Sequence, residues 1–231
     1  MSILKNIIDI LFPKFCLNCG KEGSLLCEDC FSLIDINSYT FCHVCGKRTP
    51  DFKICPNCRR KTNLSGIFFA TYYKDTIAKM LIQKLKYPPF IREISKVLAK
   101  IIISHLSLLE FSFPENSLFV PIPLFQKREK WRGFNQSAEI AKELSSYYGI
   151  PFSKDILFKI RETLPQVELK SKERKENIKD SFYIKEDINI KGKTIFLIDD
   201  VYTTGSTLEE SAQIIKKGKP KDIFGLVVAR E

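Results

Sequence analysis

Four stretches of the chain are largely apolar at every position: 66–73, rich in Phe and Tyr, then 117–122, 195–198 and 222–229. Nearly unbroken apolar runs of this length read as strands buried on both faces, as in a parallel sheet. Between them apolar residues recur at helical spacing. Ile77, Met80, Leu81 and Leu85 follow Asp75, a residue that caps helices. Further helices are predicted over 91–109, over 137–148, and from Ser206 onward with Leu208, Ala212 and Ile215 inward. Short strands are predicted at 155–160 and 181–184. Strands alternating with helices argue an α/β fold, a mostly parallel sheet with flanking helices. Such sheets bind ligands beyond the carboxyl ends of their strands. His105, alone on its helix, is expected to be structural.

The first quarter of the chain follows another rule. Residues 2–12 put Ile3, Ile7, Ile10 and Leu11 on one helical face. All eight cysteines then fall in four C-x-x-C pairs: Cys16/Cys19, Cys27/Cys30, Cys42/Cys45 and Cys55/Cys58. The first and third pairs are each followed by Gly-Lys, so the module is an internal repeat. A knuckle of this kind aims two sulfurs at one point, and tetrahedral zinc needs two knuckles. The segment is too short for a substantial core, so two structural zinc ions would supply its folding energy. The expected ligand sets are Cys16, Cys19, Cys27, Cys30 and Cys42, Cys45, Cys55, Cys58; an interleaved pairing is the alternative. A disulfide framework suits a long cysteine-free partner domain poorly, and iron–sulfur spacings differ. His43 is surplus to both sets and is expected at the surface. Pro56, the run Arg59, Arg60, Lys61, and Thr62 with Asn63 suggest a hinge. The expected domains are 1–62, helix and ribbon, and 63–231.

With 231 residues and 44% hydrophobic content, the chain can build one well-cored domain plus a small appendage. No apolar run reaches membrane-span length and residues 1–15 lack a signal-peptide pattern, so a cytoplasmic protein is expected. The net charge is +10 with histidine neutral; eight zinc-bound thiolates would remove eight charges and two zinc ions return four, leaving +6. Either value favours anionic partners, small phosphates or nucleic acid.

One stretch carries the chemistry. Ile195, Phe196, Leu197 and Ile198 run into two carboxylates, Asp199 and Asp200, expected at the strand's solvent-facing end. A loop follows with hydroxyl residues around one glycine: Thr203, Thr204, Gly205, Ser206 and Thr207. A helix starting near Ser206 leaves its first N–H groups free, and its dipole favours an anion. Gly205 lets the backbone approach a ligand. The acids would repel a phosphate but suit hydroxyl groups, or a cation carrying a second phosphate group. A ligand with a phosphate at one end, a diol in the middle and a metal-bound diphosphate fits this layout. Gly192-Lys193-Thr194 precedes its strand and lacks the first glycine, so it is not a P-loop.

The ordered set of apolar strand, two acids and Thr-Thr-Gly-Ser-Thr resembles the phosphoribosyl-pyrophosphate (PRPP) motif of type I phosphoribosyltransferases. That resemblance implies a Rossmann-like sheet, PRPP with Mg2+ as ligand, Asp199 and Asp200 at the ribose hydroxyls, and residues 203–207 around the 5′-phosphate. Over nearly its whole length the chain resembles the ComF family, which pairs an N-terminal zinc ribbon with a phosphoribosyltransferase-like domain and is associated with DNA uptake in natural transformation. The matching stretches are the paired ribbons, Lys84-Leu85-Lys86-Tyr87, Val120-Pro121-Ile122-Pro123-Leu124, Arg132-Gly133-Phe134-Asn135-Gln136, and Thr163 with Gln166, Arg174 and Asn177. Pro88-Pro89-Phe90 stands where glycine is more usual, and Lys159 where arginine is frequent. The resemblance implies a pyrophosphate loop at Pro121, Ile122, Pro123 and Leu124, with Arg128 or Arg132 as charge partners. It also implies a lid over 161–179, containing Arg161, Thr163, Gln166, Arg174 and Asn177. The implied chemistry is displacement of pyrophosphate from the anomeric carbon through an oxocarbenium-like state.

The residues present no acid or base assigned to a nucleobase, so three functions stand side by side. The first is a competence-type accessory protein that binds PRPP, handles single-stranded DNA and meets competence machinery proteins. Lys127 and Lys130 would contact DNA phosphates while Trp131 and Phe134 stack on bases. The second is an active phosphoribosyltransferase with an unspecified acceptor. The third is a nucleotide-sensing module without catalysis.

Overall fold

The computed structural model describes residues 13–50, 52–162, 178–185 and 188–231. The predicted helix at 2–12 lies outside them, as do Thr163, Gln166, Arg174 and Asn177 of the predicted lid. The four apolar runs form strands β1 (Gly66–Tyr72), β2 (Ser117–Pro121), β5 (Thr194–Tyr202) and β6 (Asp222–Arg230). They pair in one all-parallel sheet of order β1-β6-β5-β2. The two shorter predicted strands, β3 (Leu157–Lys159) and β4 (Phe182–Ile184), pair antiparallel as a separate ribbon.

Both faces of the sheet are covered, which is why its strands read as continuous apolar runs. Phe68, Phe119, Phe196 and Phe224 point to one face, beneath helices α2 (Thr76–Lys86), α3 (Ile94–Leu108) and α5 (Gln136–Tyr148). Their rings pack closely; Phe196 stacks on Phe224 at 5.3 Å. Ile67, Leu118, Leu197 and Val227 face the other way, against helix α6 (Ser206–Ile215) and the β3–β4 pair. Asp75 caps α2 by accepting from Ala78 N at 2.8 Å. Gly133 closes the short helix α4 (Gln126–Arg132) at φ +84°, a conformation glycine adopts without strain.

The cysteine module is built into this body. Leu26, Cys27, Cys30 (the last on the single turn α1, Glu28–Phe31) and Ile34 join the core on the α2–α3 face. Buried Asn37 links the two ribbons to the sheet: its N donates to Ala70 O at 2.8 Å and its Nδ2 to Phe69 O at 3.1 Å. Its carbonyl meets His105 Nδ1 at 2.5 Å. Burial pushes His105 down to about 4, consistent with its structural role. On the opposite face Phe41 stacks on Phe69 at 6.1 Å. The predicted hinge is instead a 3-10 helix, Pro56–Lys61, followed by residues anchored to α6. Among the described residues no helix is long and apolar enough to cross a membrane.

Candidate functional site

Strand β5 does not end at the acids, as its sequence suggests; it runs on to Tyr202, paired with β6. What ends is its other neighbour. β2 stops at Pro121, and Ile122 N donates to Ile198 O at 2.9 Å as the two chains part. Asp199 and Asp200 therefore sit in the notch where β2 leaves, at the carboxyl edge of the sheet.

The notch is closed by the stretch 132–136. Asn135 caps α5 by accepting from Ser137 N at 3.0 Å, and its Nδ2 donates to Ile122 O at 2.9 Å, which holds the turn after β2. Ser137 Oγ then donates to Asp199 Oδ1 at 2.9 Å. Asp200 N donates to the same oxygen at 2.9 Å. Arg132 Nη1 bonds Gln136 Oε1. Phe134 is only 7% exposed and belongs to the core, so its predicted stacking on bases is corrected: its ring is inaccessible to a partner. Trp131, 62% exposed, stands edge-on to Phe90 at 4.9 Å. Lys127 and Lys130 are exposed as expected.

Asp200 is not solvent-facing, and Asp199 is half-buried. Asp200 is 2% exposed, and Lys86 Nζ, from the end of α2, lies 2.8 Å from its Oδ1. Burial alone would push the Lys86 ammonium down, but Asp200 and Asp199 outweigh it and hold it above the ordinary lysine value. Burial, and then the charge of Asp200, push the Asp199 carboxyl up to about 7. Asp200 Oδ2 and Arg132 Nε are buried and have no hydrogen-bond partner among the described residues. Lys159 on β3 is brought down to about 8, by burial first and then by Arg128, with Asp199 opposing. Lys159 thus lies within electrostatic reach of Asp199 and Arg132 of Asp200, with Arg128 beside both cations.

The loop after β5 has the expected form. Gly205 sits at φ +76°, and a Cβ there would lie 2.5 Å from the Tyr202 hydroxyl, so only glycine fits. α6 begins at Ser206, and Thr204 Oγ1 and Ser206 Oγ are 2.8 Å apart. Glu209 in its first turn accepts from Thr62 Oγ1 and Asn63 N, both at 2.6 Å, and from Asn63 Nδ2 at 2.7 Å. His43 is half-buried, not at the surface: its Nε2 is 3.2 Å from Thr62 Oγ1 and its ring meets Tyr202 edge-on. A cleft of about 480 Å³ lies between the second ribbon and this loop.

The cysteines gather in the two sequential sets, with all sulfurs of each set within 4.8 Å of one another. Cys19 and Cys27 sulfurs are 3.6 Å apart, as are those of Cys45 and Cys55. Four sulfurs at about 2.3 Å from one zinc are about 3.8 Å from each other, so the donor sets fit the ion. Burial would raise the Cys16 thiol, but N–H groups of Cys19, Cys27 and Asn18 outweigh it and bring it down to about 6. In the same set the Asn18 amide would lower the Cys30 thiol, but burial and the neighbouring cysteines outweigh it and push it up to about 12, so only part of the set is poised as thiolate before metal arrives.

Lys86, Ser137 and Glu209 are not evident as site residues from sequence. Lys86 had a signal: it continues the stripe of Ala78 and Ile82, both fully buried, and a lysine on a buried stripe needs a buried partner.

Residues 7–62 match the double zinc ribbon domain family and residues 95–230 the phosphoribosyl transferase domain family. Competence protein F of Haemophilus influenzae is 28% identical over 207 residues, 87% of each chain. DNA utilization protein YhgH of Escherichia coli is 28% identical over 82% of this chain and 90% of its own. Competence protein ComFC of Bacillus subtilis is 24% identical over 91% of this chain and 86% of its own. The chain belongs to the phosphoribosyl transferase domain family and, carrying a double zinc ribbon ahead of that domain, to the ComF family.

Proposed function

We propose that the chain binds PRPP or a close phosphosugar at the edge of β5. The observation that carries this reading is the buried Asp200 Oδ2, a carboxylate oxygen with no hydrogen-bond partner among the described residues, one strand end away from the N-terminus of α6. A diol supplies the missing donors, while the 5′-phosphate lies on residues 203–207 with Thr203, Thr204, Ser206 and Thr207 as hydroxyl donors. The diphosphate lies toward Pro121, Ile122, Pro123 and Leu124. Arg128, Arg132 and Lys159 complement its charge. Magnesium carried by the diphosphate would neutralise the charge that develops on departing pyrophosphate. Asp199 and Asp200 face hydroxyls rather than metal, because Lys86 already occupies one oxygen. If transfer to an acceptor occurs, these residues orient the sugar and the anchored turn at 121–124 holds the leaving group.

A second part of the reading concerns DNA. Relatives named for competence and DNA utilization, a net charge of +10, and exposed Lys127, Lys130 and Trp131 support single-stranded DNA handling in the cytoplasm, alongside competence machinery proteins. Cations bind the backbone and the indole stacks on bases.

Thermal denaturation of the zinc-loaded chain with PRPP, with and without magnesium, tests the first part: the expected result is a concentration-dependent rise in Tm that is larger with magnesium. No rise at saturating PRPP overturns it. A pyrophosphate-release assay across acceptors then separates an enzyme from a sensing module.

A further inference from the structure

Two adjacent carboxylates in a buried notch cannot both stay charged without a partner, since each raises the other's proton affinity. The partner here comes from a different element. Lys86 is the last residue of α2, and its side chain, about three-quarters buried, crosses to β5 and places its ammonium 2.8 Å from Asp200 Oδ1. The remaining carboxylate oxygens have distinct surroundings. Asp199 Oδ1 already accepts from Ser137 Oγ and Asp200 N. Asp200 Oδ2 is buried and accepts nothing from the described residues. Around the pair stand the Tyr73 hydroxyl at the end of β1, which feels both Lys86 and Asp200, and Arg132 from α4, which feels Asp200. Lys86 is the only one of these with a direct ion pair to Asp200 among the described residues.

Resting on the phosphosugar reading above, we infer that Lys86 is a positioning residue. Its single-point grip on Asp200 Oδ1 leaves Oδ2 as a reserved acceptor, so that the site reads a ribose hydroxyl and discriminates against 2-deoxyribose. A compact ammonium suits this task. It can hold one carboxylate oxygen, whereas a guanidinium fork takes two. The ligand class is then a ribose 5-phosphate. A deoxynucleotide 5′-phosphate lacks the 2′-hydroxyl contact and keeps the phosphate and 3′-hydroxyl contacts.

The test uses the full zinc-loaded chain, calorimetric titration, and two probes, ribose 5-phosphate and 2-deoxyribose 5-phosphate. The second probe lacks one hydroxyl and reports whether the phosphate loop is intact. Wild type is expected to prefer ribose 5-phosphate by roughly tenfold to hundredfold, as for one hydrogen bond to a charged acceptor. In Lys86→Met the affinity for ribose 5-phosphate falls to that for the deoxy sugar, while the deoxy affinity holds. Equal weakening of both sugars, or an unchanged ratio, means that Lys86 only supports the fold and overturns the inference. If Lys86→Met does not fold, Lys86→Arg is read instead. Its fork takes Oδ2 away from the ligand, so the preference falls at constant deoxy affinity, and an unchanged ratio overturns the inference. Wild type that binds both sugars equally refutes the role of Lys86 alone. Wild type that binds neither these sugars nor PRPP refutes the phosphosugar reading and this inference with it.

Discussion

Replacing Asp199 with asparagine sets stability against binding. The amide keeps the shape, and its oxygen can still accept from Ser137 Oγ and Asp200 N, each at 2.9 Å in the wild type. Only the charge goes. Burial, and after it the neighbouring Asp200, raise the Asp199 carboxyl from 3.8 to about 7. The folded chain therefore binds this proton more tightly than the unfolded chain. Between about pH 4 and pH 7 the folded state carries more protons, so the Asp199 contribution to stability falls as pH rises. About three units at about 1.4 kcal/mol each bound the cost near 4 kcal/mol. Asp199 is partly exposed, and discounting for solvent screening leaves about 2 kcal/mol. For a chain of this size that is a shift of roughly 4–8 °C in Tm. The assay is thermal unfolding by circular dichroism of zinc-loaded wild type and Asp199→Asn from pH 5 to 8.5. The variant is expected to melt higher at pH 8 and to converge with wild type near pH 5. A variant that melts lower at pH 8, or a difference independent of pH, refutes the reasoning.

Metal analysis of the purified chain should find two zinc ions per chain, and a chelator should lower its Tm; iron with visible absorption contradicts the assignment. Glu209→Ala removes three hydrogen bonds from a carboxylate to Thr62 and Asn63 and should cost about 3 kcal/mol, with faster amide exchange across the second ribbon; unchanged exchange there contradicts the staple. Phe134→Ala should destabilise by about 3–5 kcal/mol, whereas Trp131→Ala should leave stability nearly intact and weaken single-stranded DNA binding at every salt concentration. Lys127→Ala with Lys130→Ala should flatten the salt dependence of that binding, by about 0.7 in log–log slope for each phosphate no longer neutralised.

Local features were legible. The strands were readable because burial on both faces leaves no polar positions, and Phe196 and Leu197 point to opposite layers yet are both fully buried. The start of α6 and the glycine before it follow from short-range geometry at Tyr202 and Gly205. The cysteine sets follow from spacing. The rest depends on partners far apart in the chain. Nothing near Asp200 in sequence indicates that α2 will bring an ammonium to it, so both acids read as solvent-facing although Asp200 is buried and Asp199 half-buried. Nothing near Thr62 indicates that Glu209 will hold it, so an anchored segment read as a hinge. Phe134 follows a basic run and read as a stacking residue; the cap at Asn135 and the turn after Gly133 direct its ring inward instead. Of the two aromatic rings in this stretch, only Trp131 on the charged helix α4 stays exposed for a partner.

The central claim is a phosphosugar site built on Asp199, Asp200 and the residues that open α6. Isothermal titration calorimetry of the zinc-loaded chain with PRPP and magnesium tests it most directly, with Asp199→Asn as the paired variant, since that substitution keeps the fold and the Lys86–Asp200 contact. At pH 8, where Asp199 is mostly ionised, the account predicts saturable binding of one PRPP per chain that weakens at least about tenfold in the variant, the loss of a hydrogen bond to a charged acceptor. Absence of binding heat at any magnesium concentration, or equal affinity in the two proteins, contradicts it.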